Sequence, residues 1–240
     1  MASKTVLNRE LSWLQFNERV LSEAVNPDNP LLEQGKFLSI VTSNLDEFFM
    51  VRVGALQRAL ESGDVRRDPS GMTPSEQLTA IWAQVRGQVD RQYAILRHQY
   101  LPALAREGIH FLPPVSLTAE QKEYLSGYFD QNVQPLLTPR AIDDRRPFPL
   151  LASKALHLAV LLPPAAKGSP NRFALVTVPS QLPRVVLLPT GVGEVRGLML
   201  EDVIALFAGR LFGNVQPLSA AVFRLTRNAD FLYNDANADQ

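Results

Sequence analysis

The chain contains no cysteine. Disulfides, thiolate nucleophiles and cysteine-ligated metals are thereby excluded, and a cytosolic home fits. An excess of either charge is also missing: Lys plus Arg and Asp plus Glu both number 24 among 240 residues. Such a balance opposes a general attraction to nucleic acid or anionic membrane, and leaves room only for a local basic patch. No apolar run approaches the roughly 18 residues of a membrane span. The opening MASKTVLNREL has no signal-peptide core. These absences predict a cytoplasmic chain, attached to a membrane peripherally if at all.

Catalytic signatures are scarce too. There is no G-x-x-x-x-G-K-[ST] loop, no G-x-G-x-x-G after a strand and no G-x-S-x-G elbow. Gly191-Val192-Gly193 follows Pro189-Thr190 and reads as a turn. The three histidines, His98, His110 and His157, are far apart and lack metal-ligand spacing, so no metal site is predicted. Each reads as a structural histidine. Of the carboxylate pairs, Asp46-Glu47 and Glu201-Asp202 fall at predicted helix starts, where the helix dipole accounts for them. Asp143-Asp144, followed by Arg145-Arg146, reads as a solvated loop. No complete catalytic set emerges, which points to a binding or assembly portion.

What is present divides near position 108. The spacing predicts helices over Asn8 to Ala24, from Pro30 through Val41, and from Asn44 onward, the last carried by Leu45, Phe48, Phe49, Val53, Leu56 and Leu60. Asn44 and Glu47 have capping-box spacing. Residues 62 to 72 read as an exposed loop. Thr73-Pro74-Ser75-Glu76 starts a long helix to about Arg106, with a kink expected at Pro102 and a stop at Gly108. Trp13, Phe16, Phe48 and Phe49 read as core rather than as a stacking surface for a base. The second half alternates short β runs with turns: Ile109 to Leu112, Lys154 to Leu162, Arg172 to Val178, Arg184 to Leu188 and Ala221 to Thr226. Helices fall at Thr118 to Gln134 and at Glu201 to Phe212. The polar residues 228 to 240 read as a chain cut in mid-domain. The expected fold is an α-helical N-terminal domain, 1–107, followed by an α+β head domain, 108–240, truncated.

Two long segments carry more than helix signals: RELSWLQFNERVLSEA, residues 9 to 24, and NPLLEQGKFLSIVTSNLDEFFMVRVGAL, residues 29 to 56. Together they resemble the N-terminal domain of the bacterial polyphosphate kinases that phosphorylate themselves on histidine. TPRAIDDRRPFPLL, residues 138 to 151, and FRLTRNADF, residues 223 to 231, resemble segments of that family's head domain. The resemblance implies a four-domain enzyme that moves the ATP γ-phosphate reversibly onto inorganic polyphosphate through a phosphohistidine, with magnesium. It implies that the catalytic histidines and most ATP and magnesium contacts lie in C-terminal domains with no counterpart here. It further implies a homo-oligomer built through the head domain. The neutral charge and the absence of a basic stripe, not the resemblance, oppose a nucleic-acid partner. From the residues alone Asn44 reads as a plain cap. The resemblance instead places Asn44 at the adenine of ATP. A freestanding, non-catalytic nucleotide- or protein-interaction module is the alternative reading.

Overall fold

The computed structural model describes residues 6–142, 148–191 and 193–228. Asp143 to Arg146, Val192, and the tail from 229 onward, all read from sequence above, lie outside the described residues. The chain forms two compact units. One holds the residues up to Arg106, joined by those from Thr226; the other is Glu107–Leu225.

In the first unit, α1 (Arg9–Glu23) starts where the sequence predicts. Asn8 Oδ1 accepts the N–H groups of Glu10 and Leu11 at 3.0 and 2.9 Å. Its Nδ2 donates to Asp68 Oδ2 and Gln77 Oε1 at 2.7 and 2.9 Å, so one cap also ties down the 62–72 loop. Helix α2 (Leu31–Phe48) follows Pro30, which occupies the cap rather than the first helical position. It continues through a π turn, Phe49–Val53, into α3 (Gly54–Glu61).

The predicted helix start at Asn44 is therefore wrong. Asn44 lies inside α2, and Asp46-Glu47 occupies its last turn, not a first one. The polar trio Thr42-Ser43-Asn44 does not break the helix because its side chains find other partners. Thr42 Oγ1 donates to the Leu38 carbonyl at 3.5 Å, Ser43 faces solvent, and Asn44 bonds α1.

Helix α4 (Pro74–Ile95) begins with the predicted capping box: Thr73 Oγ1 accepts from Glu76 N–H, and Glu76 Oε2 accepts from Thr73 N–H. A π turn, Leu96–Tyr100, leads into α5 (Leu101–Arg106). The expected disturbance at Pro102 takes this form. Pro102 has no N–H for the His98 carbonyl, and the wider turn lies just ahead of it. The stop at Gly108 holds, with φ +79°. Leu14, Leu21, Val41, Phe48, Ile81 and Val85 fill the core of this unit. Each is worth about 2 kcal/mol on burial. Trp13 stacks on Phe48 at 4.6 Å, and Phe49 lies 5.1 Å from Trp82. Phe16 departs from the expected core: it is exposed, with the Arg19 guanidinium 5.8 Å from its ring centre.

The second unit is α+β. Its strands are β1 (Ile109–Phe111), β2 (Arg140–Ile142), β3 (Leu156–Leu162), β4 (Arg172–Thr177), β5 (Val185–Leu187), β6 (Val195–Met199) and β7 (Ser219–Arg224); its helices are α6 (Ala119–Tyr128) and α7 (Leu200–Phe207). An antiparallel sheet has the order β2-β4-β3-β7, and a smaller one the order β1-β6-β5, with β1 and β6 parallel. Leu158, Val160, Leu125, Phe129, Leu198 and Ile204 share one core between sheets and helices. β3 begins at Leu156, not Lys154, because Lys154 takes a left-handed φ of +64°. β2 and β6 were not anticipated from the sequence.

Candidate functional site

Asn44 stands half-buried on α2, opposite Asn17 on α1. Its Nδ2 donates to Asn17 Oδ1 at 2.9 Å. Asn17 has no exposed surface, and its Nδ2 donates to Gln88 Oε1 at 2.9 Å and to the Val41 carbonyl at 3.3 Å. Gln88, buried on α4, donates in turn to Glu18 Oε2 at 3.0 Å and the Leu14 carbonyl at 3.4 Å. Arg91 closes the run with an ion pair to Glu18. One turn away, Gln92 Nε2 donates to the Leu38 carbonyl and to Thr42 Oγ1, both at 2.7 Å. Three helices are thus joined by amides that satisfy one another in the core, as buried polar groups must. Among the described residues Asn44 Oδ1 makes no hydrogen bond.

Sequence reasoning found Asn44 but missed Asn17, Gln88 and Gln92. A signal was available. Asn17 lies three residues after Leu14 and four before Leu21, on the face α1 buries, and Gln88 lies three residues after Val85. Amides on apolar faces need partners, and here they find one another.

The histidines are not brought together. His98 is exposed on the Leu96–Tyr100 turn, and His110 is half-buried in β1. His157 is buried in β3, with Nδ1 3.2 Å from Thr177 Oγ1 and Nε2 without a hydrogen-bond partner among the described residues. Burial, and secondarily the charge of Arg140, push its pKa down. Among the described residues no group of three or more His, Asp or Glu side chains is placed to hold a metal ion. An open cavity of about 720 Å³ in the second unit is lined by Arg140, Lys154, Ser180, Gln181 and Arg184. Arg184 there also binds the buried Glu201 at 2.5 Å.

A helical unit with a run of buried amides is followed by an α+β unit, and no described helix is long and apolar enough to cross a bilayer. The family description "Polyphosphate kinase N-terminal domain" matches residues 6–112, and "Polyphosphate kinase middle domain" matches residues 120–240. A polyphosphate kinase of Bacillus cereus is 45% identical over 235 residues, covering 96% of this chain and 34% of that protein. One from Exiguobacterium sibiricum is 46% identical over 230 residues, covering 95% of this chain and 32% of that protein. The crystal structure of polyphosphate kinase from Porphyromonas gingivalis superposes with a TM-score of 0.83 at 31% identity, covering 95% of this chain and 34% of that one. The chain belongs to the polyphosphate kinase family. It spans about a third of the length of the curated relatives it matches.

Proposed function

We propose that this chain is the N-terminal and middle portion of an ATP–polyphosphate phosphotransferase. The observation that carries the reading is the close similarity to named polyphosphate kinases along nearly the whole chain. In the full enzyme a histidine outside this segment attacks the γ-phosphate, ADP leaves, and the end of a polyphosphate chain takes the phosphoryl group. Residues outside this segment would hold magnesium, whose charge would neutralise the transferring group. This segment contributes Asn44 to the adenine side of the nucleotide site and a head domain that serves as scaffold for a homo-oligomer. The accessible acceptor oxygen on a rigidly mounted Asn44 supports the adenine contact.

Two measurements test this. The 240-residue chain alone should give no ATP-dependent polyphosphate synthesis; synthesis by the purified chain would overturn the division of labour. In the full-length enzyme, Asn44→Ala should raise KM for ATP about tenfold, the worth of one good hydrogen bond, with a much smaller effect on kcat. An unchanged KM would remove Asn44 from the nucleotide site. The competing idea of a freestanding interaction module predicts a native product no heavier than this chain on an immunoblot.

A further inference from the structure

We propose that Asn17 is a positioning residue that fixes which atom Asn44 offers to the base, making this wall of the site selective for adenine over guanine. The inference rests on the Asn44–adenine reading above.

An amide side chain is nearly symmetrical in shape and opposite in chemistry at its two ends. A free asparagine can turn over and present either a donor or an acceptor. Asn44 has no such freedom, and the reason lies in groups that can only accept. The Leu14 carbonyl and the Glu18 carboxylate both face the same end of Gln88, so that end must be its Nε2. Gln88 Oε1 therefore faces Asn17, and the Val41 carbonyl faces the same end of Asn17. Two acceptors fix that end as Nδ2. Asn17 Oδ1 is left facing Asn44, which must answer with Nδ2 at 2.9 Å. Reversing Asn44 would set two carbonyl oxygens against each other beside a residue with no exposed surface, where water cannot intervene. Donation therefore runs one way, from Asn44 to Asn17 to Gln88 to Glu18, and Arg91 holds the far end.

The outcome is an Asn44 whose oxygen and second N–H are the atoms left for a ligand. That pair matches adenine, whose exocyclic amino group donates and whose adjacent ring nitrogen accepts. Guanine puts a carbonyl oxygen where adenine has the amino group, so it meets Asn44 Oδ1 acceptor against acceptor. A site built to hydrogen-bond one group discriminates well against the analogue that leaves it unpaired.

The test is the ratio of kcat/KM with ATP to that with GTP as phosphoryl donor, in the full-length enzyme. Asn17→Ala frees Asn44 to turn over; it should lower the ratio about tenfold, chiefly through a higher KM for ATP. Gln88→Met leaves Asn44 and Asn17 in place but removes the nearer of the two acceptors that orient Asn17, the Val41 carbonyl remaining; it should lower the ratio in the same direction by less. If Asn17→Ala and Gln88→Met lower only the melting temperature while Asn44→Ala still shifts the ratio, the amides merely hold the helices together and the inference is overturned, with the Asn44 contact intact. If Asn44→Ala itself leaves KM for ATP and the ratio unchanged, the reading beneath the inference fails. Should Asn17→Ala not fold, Gln88→Met decides: an unchanged ratio overturns the proposal.

Discussion

His157 is a base held where a cation is unwelcome. It sits between Thr177 on one neighbouring strand and Phe223 on the other, with one ring nitrogen unpartnered among the described residues. Its pKa is pushed below the ordinary 6.5 by burial and by Arg140. The unfolded chain therefore binds a proton more readily than the native one. The stability owed to neutral His157 is complete above 6.5 and is lost as pH falls through 6.5 toward the native value. The urea midpoint should fall between about pH 7.5 and about pH 5.5, and His157→Gln should flatten that change. An equal slope in both proteins would assign the titration to another group. Asp202 has the opposite sign. Burial, and then the neighbouring Glu201, raise its pKa above 3.8, so protonating it on the way down to 3.8 favours the native state.

At the level of elements, the legible parts were those that announce themselves locally. Asn8, Thr73 and Thr118 each cap the helix the sequence assigned to them. Asn44 failed as a cap because the residue types that start helices also make side-chain bonds to other helices. Only the approach of Asn17, 27 positions away, tells the two apart. The adenine contact proposed for Asn44 rests on family resemblance, and periodicity alone does not supply it. β6 escaped for a different reason. V-R-G-L-M carries a glycine in mid-strand, which ordinarily weakens a strand reading. Gly197 is there because a Cβ would lie 2.9 Å from both the Val186 carbonyl oxygen and Val185 Cγ1. The oxygen belongs to the β5 backbone paired with it and cannot step aside. Gly197→Ala should cost about 2 kcal/mol, read as a lower denaturant midpoint with unchanged slope. No change in midpoint would mean that β5 and β6 part easily.

For the molecule as a whole, charge balance sets an expectation about polyphosphate. With 24 cationic and 24 anionic side chains, the chain offers a polyanion little long-range attraction. The isolated chain should leave a polyphosphate-bearing resin at or below about 0.15 M salt, where fields fade within about 8 Å. Retention well above that salt would show a concentrated cationic site, and the cavity flanked by Arg140 and Lys154 is where to look. The wide turns have a bearing on inheritance. Each of Phe49–Val53 and Leu96–Tyr100 closes its hydrogen bonds over one residue more than an α turn. Loss of one codon there leaves an ordinary α turn, with the flanking helices still showing the same faces to the core. Loss of one codon in the middle of α4 would swing Gln88 and Gln92 by about 100° away from their partners. Reading-frame-preserving deletions in a lineage should therefore be tolerated at these two turns and purged from the middle of α4.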